Sequence, residues 1–198
     1  MPFDKAAFQA GGFGGNWAWW DDPASVGYTL NSAPHALDLV RWFTGAEMAT
    51  VSAFCRTFLP GKTNEDTTMA MLEYSNGTLF SLFSSDAMPA PPFPGENFRF
   101  RIMGTTGLMD LDPLGELRLA DKQGWRLVTQ QAAVGAESSS SAFADTRIQA
   151  FRDQISAFIA LIQGKPSGVG TGNDGKVCVE AVLAMLASSR EKRWIQLS

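Results

Sequence analysis

The sequence predicts an α+β domain, a largely antiparallel open sheet with helices packed on one face. Three observations carry this. A stretch around residue 35 repeats its apolar residues at three- and four-residue spacing, between a helix-starting and a helix-stopping signal. From residue 50 to residue 129 the period changes to two, and glycine-containing turns cut the chain into short strands. After residue 148 the helical period returns twice. The order is helix, many hairpin-joined strands, then two helices, with no internal repeat.

The chain of 198 residues is long enough for one sizeable domain with its own core, and its 45% hydrophobic and 18% charged content is ordinary for a globular protein. A net charge of −4, a pI near 5.0 and the lack of any Lys/Arg run argue against a nucleic-acid surface. Cys55 and Cys178 are too few and too distant for a disulfide framework or a metal site, and both lie in apolar patterns. The first residues do not form a signal peptide and no apolar run approaches membrane-spanning length, which makes a cytoplasmic protein the default expectation.

Residues 8–22 are rich in glycine and tryptophan. Trp17, Trp19 and Trp20 either pack against the sheet or offer stacking surfaces to the apolar face of a sugar-like substrate. The stretch 30–45 then holds the only histidine of the chain, His35. Asn31 and Ser32 are good N-cap residues, Pro34 would fall in the first turn, and Gly45 stands where a helix stops. Ala33, Leu37, Val40 and Phe43 would bury one face. Asn31 and His35 are four apart, so on a helix their side chains are neighbours, and the positive end of the dipole would favour a neutral imidazole. A structural histidine and a general base both fit these residues. Asp38 and Arg41, three apart, read as an ion pair.

Residues 50–58 alternate as a strand, and 67–74 and 78–84 form a hairpin across Ser75-Asn76-Gly77, so the glycosylation-like Asn76-Gly77-Thr78 reads as a turn. Pro89, Pro91, Pro92 and Pro94 rule out a regular element there, and that loop could border a site. Residues 98–103, 108–111, 117–120 and 125–129 are short strands, and 130–141 is a serine-rich loop. Ile148, Phe151, Ile155, Phe158, Ile159 and Ile162 line one face of a helix that stops at Gly164. The last helix runs from about 174 to 192, with 194–197 returning as an edge strand. The loop Gly170-Thr171-Gly172-Asn173-Asp174-Gly175-Lys176 mimics phosphate-binding motifs. It lacks the preceding strand, and Val177 replaces the hydroxyl residue that would hold Mg²⁺. It reads as a connection with Asn173 or Asp174 as N-cap.

The run from Gly27 through Leu30, His35, Asp38, Arg41 and Trp42 resembles a signature of the glucose–fructose oxidoreductase, inositol dehydrogenase and rhizopine-catabolism (Gfo/Idh/MocA) family of NAD(P)-dependent oxidoreductases. Arg101 to Leu111, with Gly104 and Gly107, is similar to a downstream hairpin of the family, and Thr171 to Gly175 to the start of its last helix. The resemblance implies that residues 1–198 are a substrate-binding and assembly domain, and that this chain lacks the N-terminal dinucleotide-binding domain and its Glu-Lys-Pro lysine. It also implies NAD or NADP as cofactor of the full enzyme, a sugar- or polyol-like substrate, homo-oligomers formed through an open sheet face, and His35 as the base with residue 31 beside it. The family often has an aspartate at that position, where this chain has Asn31. An amide hydrogen-bonds but supplies no charge. That leaves either a retuned base or a non-catalytic binding or scaffold module of the same fold.

Overall fold

The computed structural model describes residues 22, 27–88, 98–113, 115–131 and 145–197, and the side chains of 145–147 are not among them. The described residues fall into two compact units. The first comprises residues 22, 27–88 and 170–197, the second 98–113, 115–131 and 145–169. Helices α1 (Tyr28–Thr44), α2 (Asp145–Ile162) and α3 (Gly172–Glu191) accompany two antiparallel four-stranded sheets, so the α+β class with antiparallel strands holds. Their division into two sheets is a finding that the strand periods did not contain.

In the first unit the sheet is built from β1 (Met48–Arg56), β2 (Thr67–Tyr74), β3 (Leu79–Ser85) and β8 (Ile195–Gln196), in the order β3-β2-β1-β8. The β2–β3 turn is the predicted one. Gly77 has φ 82°, its N–H reaches the Tyr74 carbonyl at 2.8 Å, and Tyr74 N–H reaches Thr78 O at 2.9 Å. Strand alternation sends Val51, Ala53, Ala70, Leu72, Tyr74 and Leu82 to one face, where they are buried. Leu37 and Val40 of α1 and Cys178, Ala181, Val182 and Met185 of α3 complete this core. Both helices are tied to that face by hydroxyls. Thr29 meets Thr68 at 2.5 Å and Ser32 meets Ser84 at 2.8 Å, while Ser188 and Ser189 accept the N–H groups of Ala53 (3.0 Å) and Cys55 (2.8 Å). Those two serines satisfy the β1 backbone where the short β8 no longer reaches it.

Helix α1 begins at Tyr28, three residues before the expected cap at Asn31, and Pro34 sits inside the helix rather than in its first turn. The start is fixed from across the chain. Glu65 accepts the Tyr28 N–H on its carbonyl (3.0 Å) and the Thr29 N–H on Oε1 (3.2 Å), so the side-chain cap comes from another element. Gly27, the N-cap, is required by this closeness, since a Cβ there would lie 2.6 Å from the Glu65 carbonyl oxygen. The stop at Gly45 is as read, with φ 61° and its N–H on Arg41 O at 2.8 Å.

The second unit holds β4 (Phe100–Met103), β5 (Leu108–Leu111), β6 (Glu116–Asp121) and β7 (Gly124–Gln130), paired in chain order as a meander. Phe100 is buried, and Arg99 clamps Asp110 with two hydrogen bonds of 2.6 and 2.5 Å. Helix α2 also belongs here, and Gly164, at φ 70°, ends it as expected.

Candidate functional site

Four residues of α1, Asn31, His35, Asp38 and Trp42, recur at four-, three- and four-residue spacing and share one face of the helix. That face lies opposite Ala33, Ala36, Leu37 and Val40, which are buried against the sheet. His35 and Trp42 are exposed, and Asn31 and Asp38 are half-buried. The only histidine therefore lies on the surface and outside the core, one turn from Asn31. Because the helix starts at Tyr28, His35 is two turns inside it, beyond the first turn in which the helix dipole acts. The expected place of His35 in the first turn is thereby corrected. Trp17, Trp19, Trp20 and the proline loop lie outside the described residues.

The rotation of α1 is held by Arg41, whose side chain is 10% exposed. Its guanidinium grips Glu47 with two bonds, Nε to Oε2 at 2.9 Å and NH2 to Oε1 at 2.7 Å, and reaches Asp174 Oδ1 of α3 at 3.0 Å. The Asp38 carboxylate stands at 4.0 Å, a marginal partner rather than the expected principal one. Its hydrogen bond to Glu47 foremost keeps Arg41 charged at any pH a protein tolerates. Asp174 is pulled down to about 2, first by the Thr171 backbone N–H, then by the Thr171 hydroxyl and Arg41. Beside this cluster burial raises the Cys178 thiol, and burial likewise raises the Tyr74 phenol, whose hydroxyl has no hydrogen-bond partner among the described residues. The sequence signal for Arg41 was its place in the Arg-Trp pair. Glu47, Glu65 and Asp174 carried no local signal of these long-range roles, although Thr171 and Asp174 have the spacing of a capping box.

That capping box decides what the glycine-rich loop does. Thr171, not Asn173 or Asp174, is the N-cap of α3, and Asp174 returns its carboxylate to the Thr171 N–H at 2.7 Å. A carboxylate already occupies the positive end of the helix, so a dinucleotide phosphate does not fit there. Among the described residues no group of three or more His, Cys, Asp or Glu could hold a metal ion, and no helix is long and apolar enough to cross a membrane.

The comparisons with known proteins agree with this architecture. The profile of the GFO/IDH/MocA C-terminal domain matches residues 5–110, more than half of the chain. The chain belongs to this GFO/IDH/MocA C-terminal domain family. No curated protein shows significant sequence similarity to it. Among solved structures, an oxidoreductase from Agrobacterium radiobacter in complex with NAD+, L-tartaric acid and magnesium is similar at a TM-score of 0.69 and 19% identity, over 99% of this chain and 54% of that one. Levoglucosan dehydrogenase in complex with NADH has a TM-score of 0.69 and 20% identity, over 91% of this chain and 53% of that one. An aldose-aldose oxidoreductase from Caulobacter crescentus complexed with glycerol has a TM-score of 0.61 and 20% identity, over 89% and 52%. The chain spans about half the length of these structures.

Proposed function

We propose that the chain is the substrate-binding and assembly domain of a nicotinamide-dependent oxidoreductase acting on a hydroxyl of a sugar- or polyol-like molecule. The observation that carries this reading is His35, alone of its kind and presented on the outward face of a helix whose rotation Arg41 fixes through Glu47 and Asp174. In this role the imidazole accepts the hydroxyl proton of the substrate as its carbon is oxidised, and Asn31 orients ring or substrate by hydrogen bonding. Solved relatives in complex with NAD+ or NADH, one of them also with L-sorbose, support the cofactor and substrate class. In this reading the dinucleotide is held by a further domain and would supply the hydride acceptor. We also assign assembly into homo-oligomers to the outer face of the first sheet.

Asn31 favours a second reading, a non-catalytic binding module of the same fold, because an amide cannot stabilise an imidazolium by charge. His35→Ala separates the two. Joined to its dinucleotide-binding domain, the enzyme should lose roughly 10²–10⁴-fold in rate, the usual worth of a general base, while its melting temperature stays unchanged. A large drop in melting temperature would make His35 structural. Full retention of dehydrogenase turnover in the variant would remove the general-base role from His35, and absence of turnover from the unmodified protein would favour the binding module.

A further inference from the structure

We infer that Asn76 is a site of spontaneous deamidation in the folded chain, with the backbone nitrogen of Gly77 as nucleophile. Asn76 is exposed at the tip of the β2–β3 hairpin. The residue after it has no side chain, and nothing lies within 4 Å of where a Cβ of Gly77 would stand, so the approach to the nitrogen is open. The chain's other asparagines, Asn16, Asn31, Asn64, Asn97 and Asn173, are each followed by a residue with a side chain. The turn also prepares the carbonyl that is attacked. The Thr78 N–H donates to Asn76 Oδ1 at 3.0 Å, so a hydrogen-bond donor already faces the oxygen on which negative charge develops. Gly77 N–H is engaged with the Tyr74 carbonyl at 2.8 Å. The reaction therefore starts with an opening at the tip, where the backbone is solvent-exposed and opening costs least.

The reaction balances with water alone. Gly77 N loses its proton to hydroxide and bonds to Asn76 Cγ, while the Cγ–Nδ2 bond breaks and Nδ2 leaves as ammonia with a proton from water. The product is a cyclic succinimide. Water opens this ring at one carbonyl to give aspartate, or at the other to give isoaspartate, whose main chain is one carbon longer. One amide is exchanged for one carboxylate, which takes the formal net charge of −4 one unit further negative. Two contacts go with it. The departing nitrogen is the one that reaches Thr44 O, at the end of α1, at 3.5 Å. In isoaspartate the turn is also too long for the closing bond from Tyr74 N–H to Thr78 O, which is 2.9 Å in the unmodified hairpin. Ser75 N–H is held by the Glu47 carbonyl at 2.8 Å, and Glu47 grips Arg41, so the change falls beside the residues that anchor α1.

The test ages the 198-residue chain in warm, mildly alkaline buffer and follows it by ion exchange and by mass spectrometry of its peptides. A more acidic form should accumulate, with conversion at Asn76 ahead of every other asparagine and faster in proportion to hydroxide. Asn76→Gln, whose longer side chain must close a larger ring, should not form it. The isolated isoaspartate form should melt about 2–4 °C below the fresh chain, the worth of the one closing hydrogen bond. Loss of amide from another asparagine first overturns the inference, as does an acidic form that accumulates equally in Asn76→Gln. Conversion in urea but not in the folded chain also overturns it, because the turn would then be a protecting structure. An isoaspartate form that melts with the fresh chain overturns the structural consequence drawn for the hairpin.

Discussion

At the scale of single residues, the site is held by charges that also set the acid response of the first unit. Asp174 has its carboxyl lowered to about 2 in the folded chain, against about 3.9 when unfolded. A carboxyl lowered by folding stabilises the fold above its unfolded value, and that contribution is lost as pH falls through the folded one. Stability should therefore decline as pH drops from about 4 toward 2. Because Asp174 is about a third exposed, its share is roughly 1 kcal/mol after solvent screening. Urea titrations across this range should show a shallower acid slope for Asp174→Asn than for the unmodified chain. Asp110 is also lowered, first by its Arg99 hydrogen bond, and supplies part of the remaining slope. A slope unchanged by Asp174→Asn would mean that the Thr171–Asp174–Arg41 chain does not hold in solution.

At the scale of elements, local signals were read well and distant ones were not. The Asn76-Gly77 turn, the stop at Gly45 and the face of α3 depend on neighbours in sequence, and each formed where residue types and spacing placed it. The start of α1 did not, because its first N–H groups are satisfied by Glu65, 37 residues beyond the helix's first residue, Tyr28. A remote cap leaves no trace in the window that a helix reading uses. Strand periods likewise identify hairpins, but not where one sheet ends and the next begins. The apolar stripe of α2 was legible from helical spacing alone. For the site, the neighbour relation of Asn31 and His35 followed from helical spacing alone. The anchoring of that helix by Arg41 did not, since Glu47 and Asp174 meet it only after folding. The Glu65 clamp is testable at Gly27. Gly27→Ala forces a Cβ against the Glu65 carbonyl at 2.6 Å, and should cost about 2 kcal/mol in urea unfolding by overpacking. A neutral result would show that the turn before β2 yields and that α1 does not depend on it.

At the scale of the whole molecule, the first sheet presents two unlike faces, and the outer one carries the proposed assembly. Strand pairing sets Phe54, Met69 and Phe83 directly opposite one another in a single row across β1, β2 and β3, and they are 61, 57 and 57% exposed. Met71 lies in the next row between Ser52 and Ser81, and Leu79 pairs with Glu73 one row further. Three side chains exposed to this degree offer roughly 300 Å² of apolar surface, given the area of an aromatic side chain. A stable contact needs roughly 800 Å² per partner, so Met71, Leu79 and the polar rows around them must also be covered. A two-fold contact satisfies this most simply, because the same row then faces its own copy and each methionine can adapt to the opposing rings. Sedimentation at tens of micromolar should show self-association that Met69→Asp abolishes, with no fall in melting temperature, since the replaced side chain is exposed. A strict monomer at high concentration, or an oligomer indifferent to Met69→Asp, would remove the assembly role from this face.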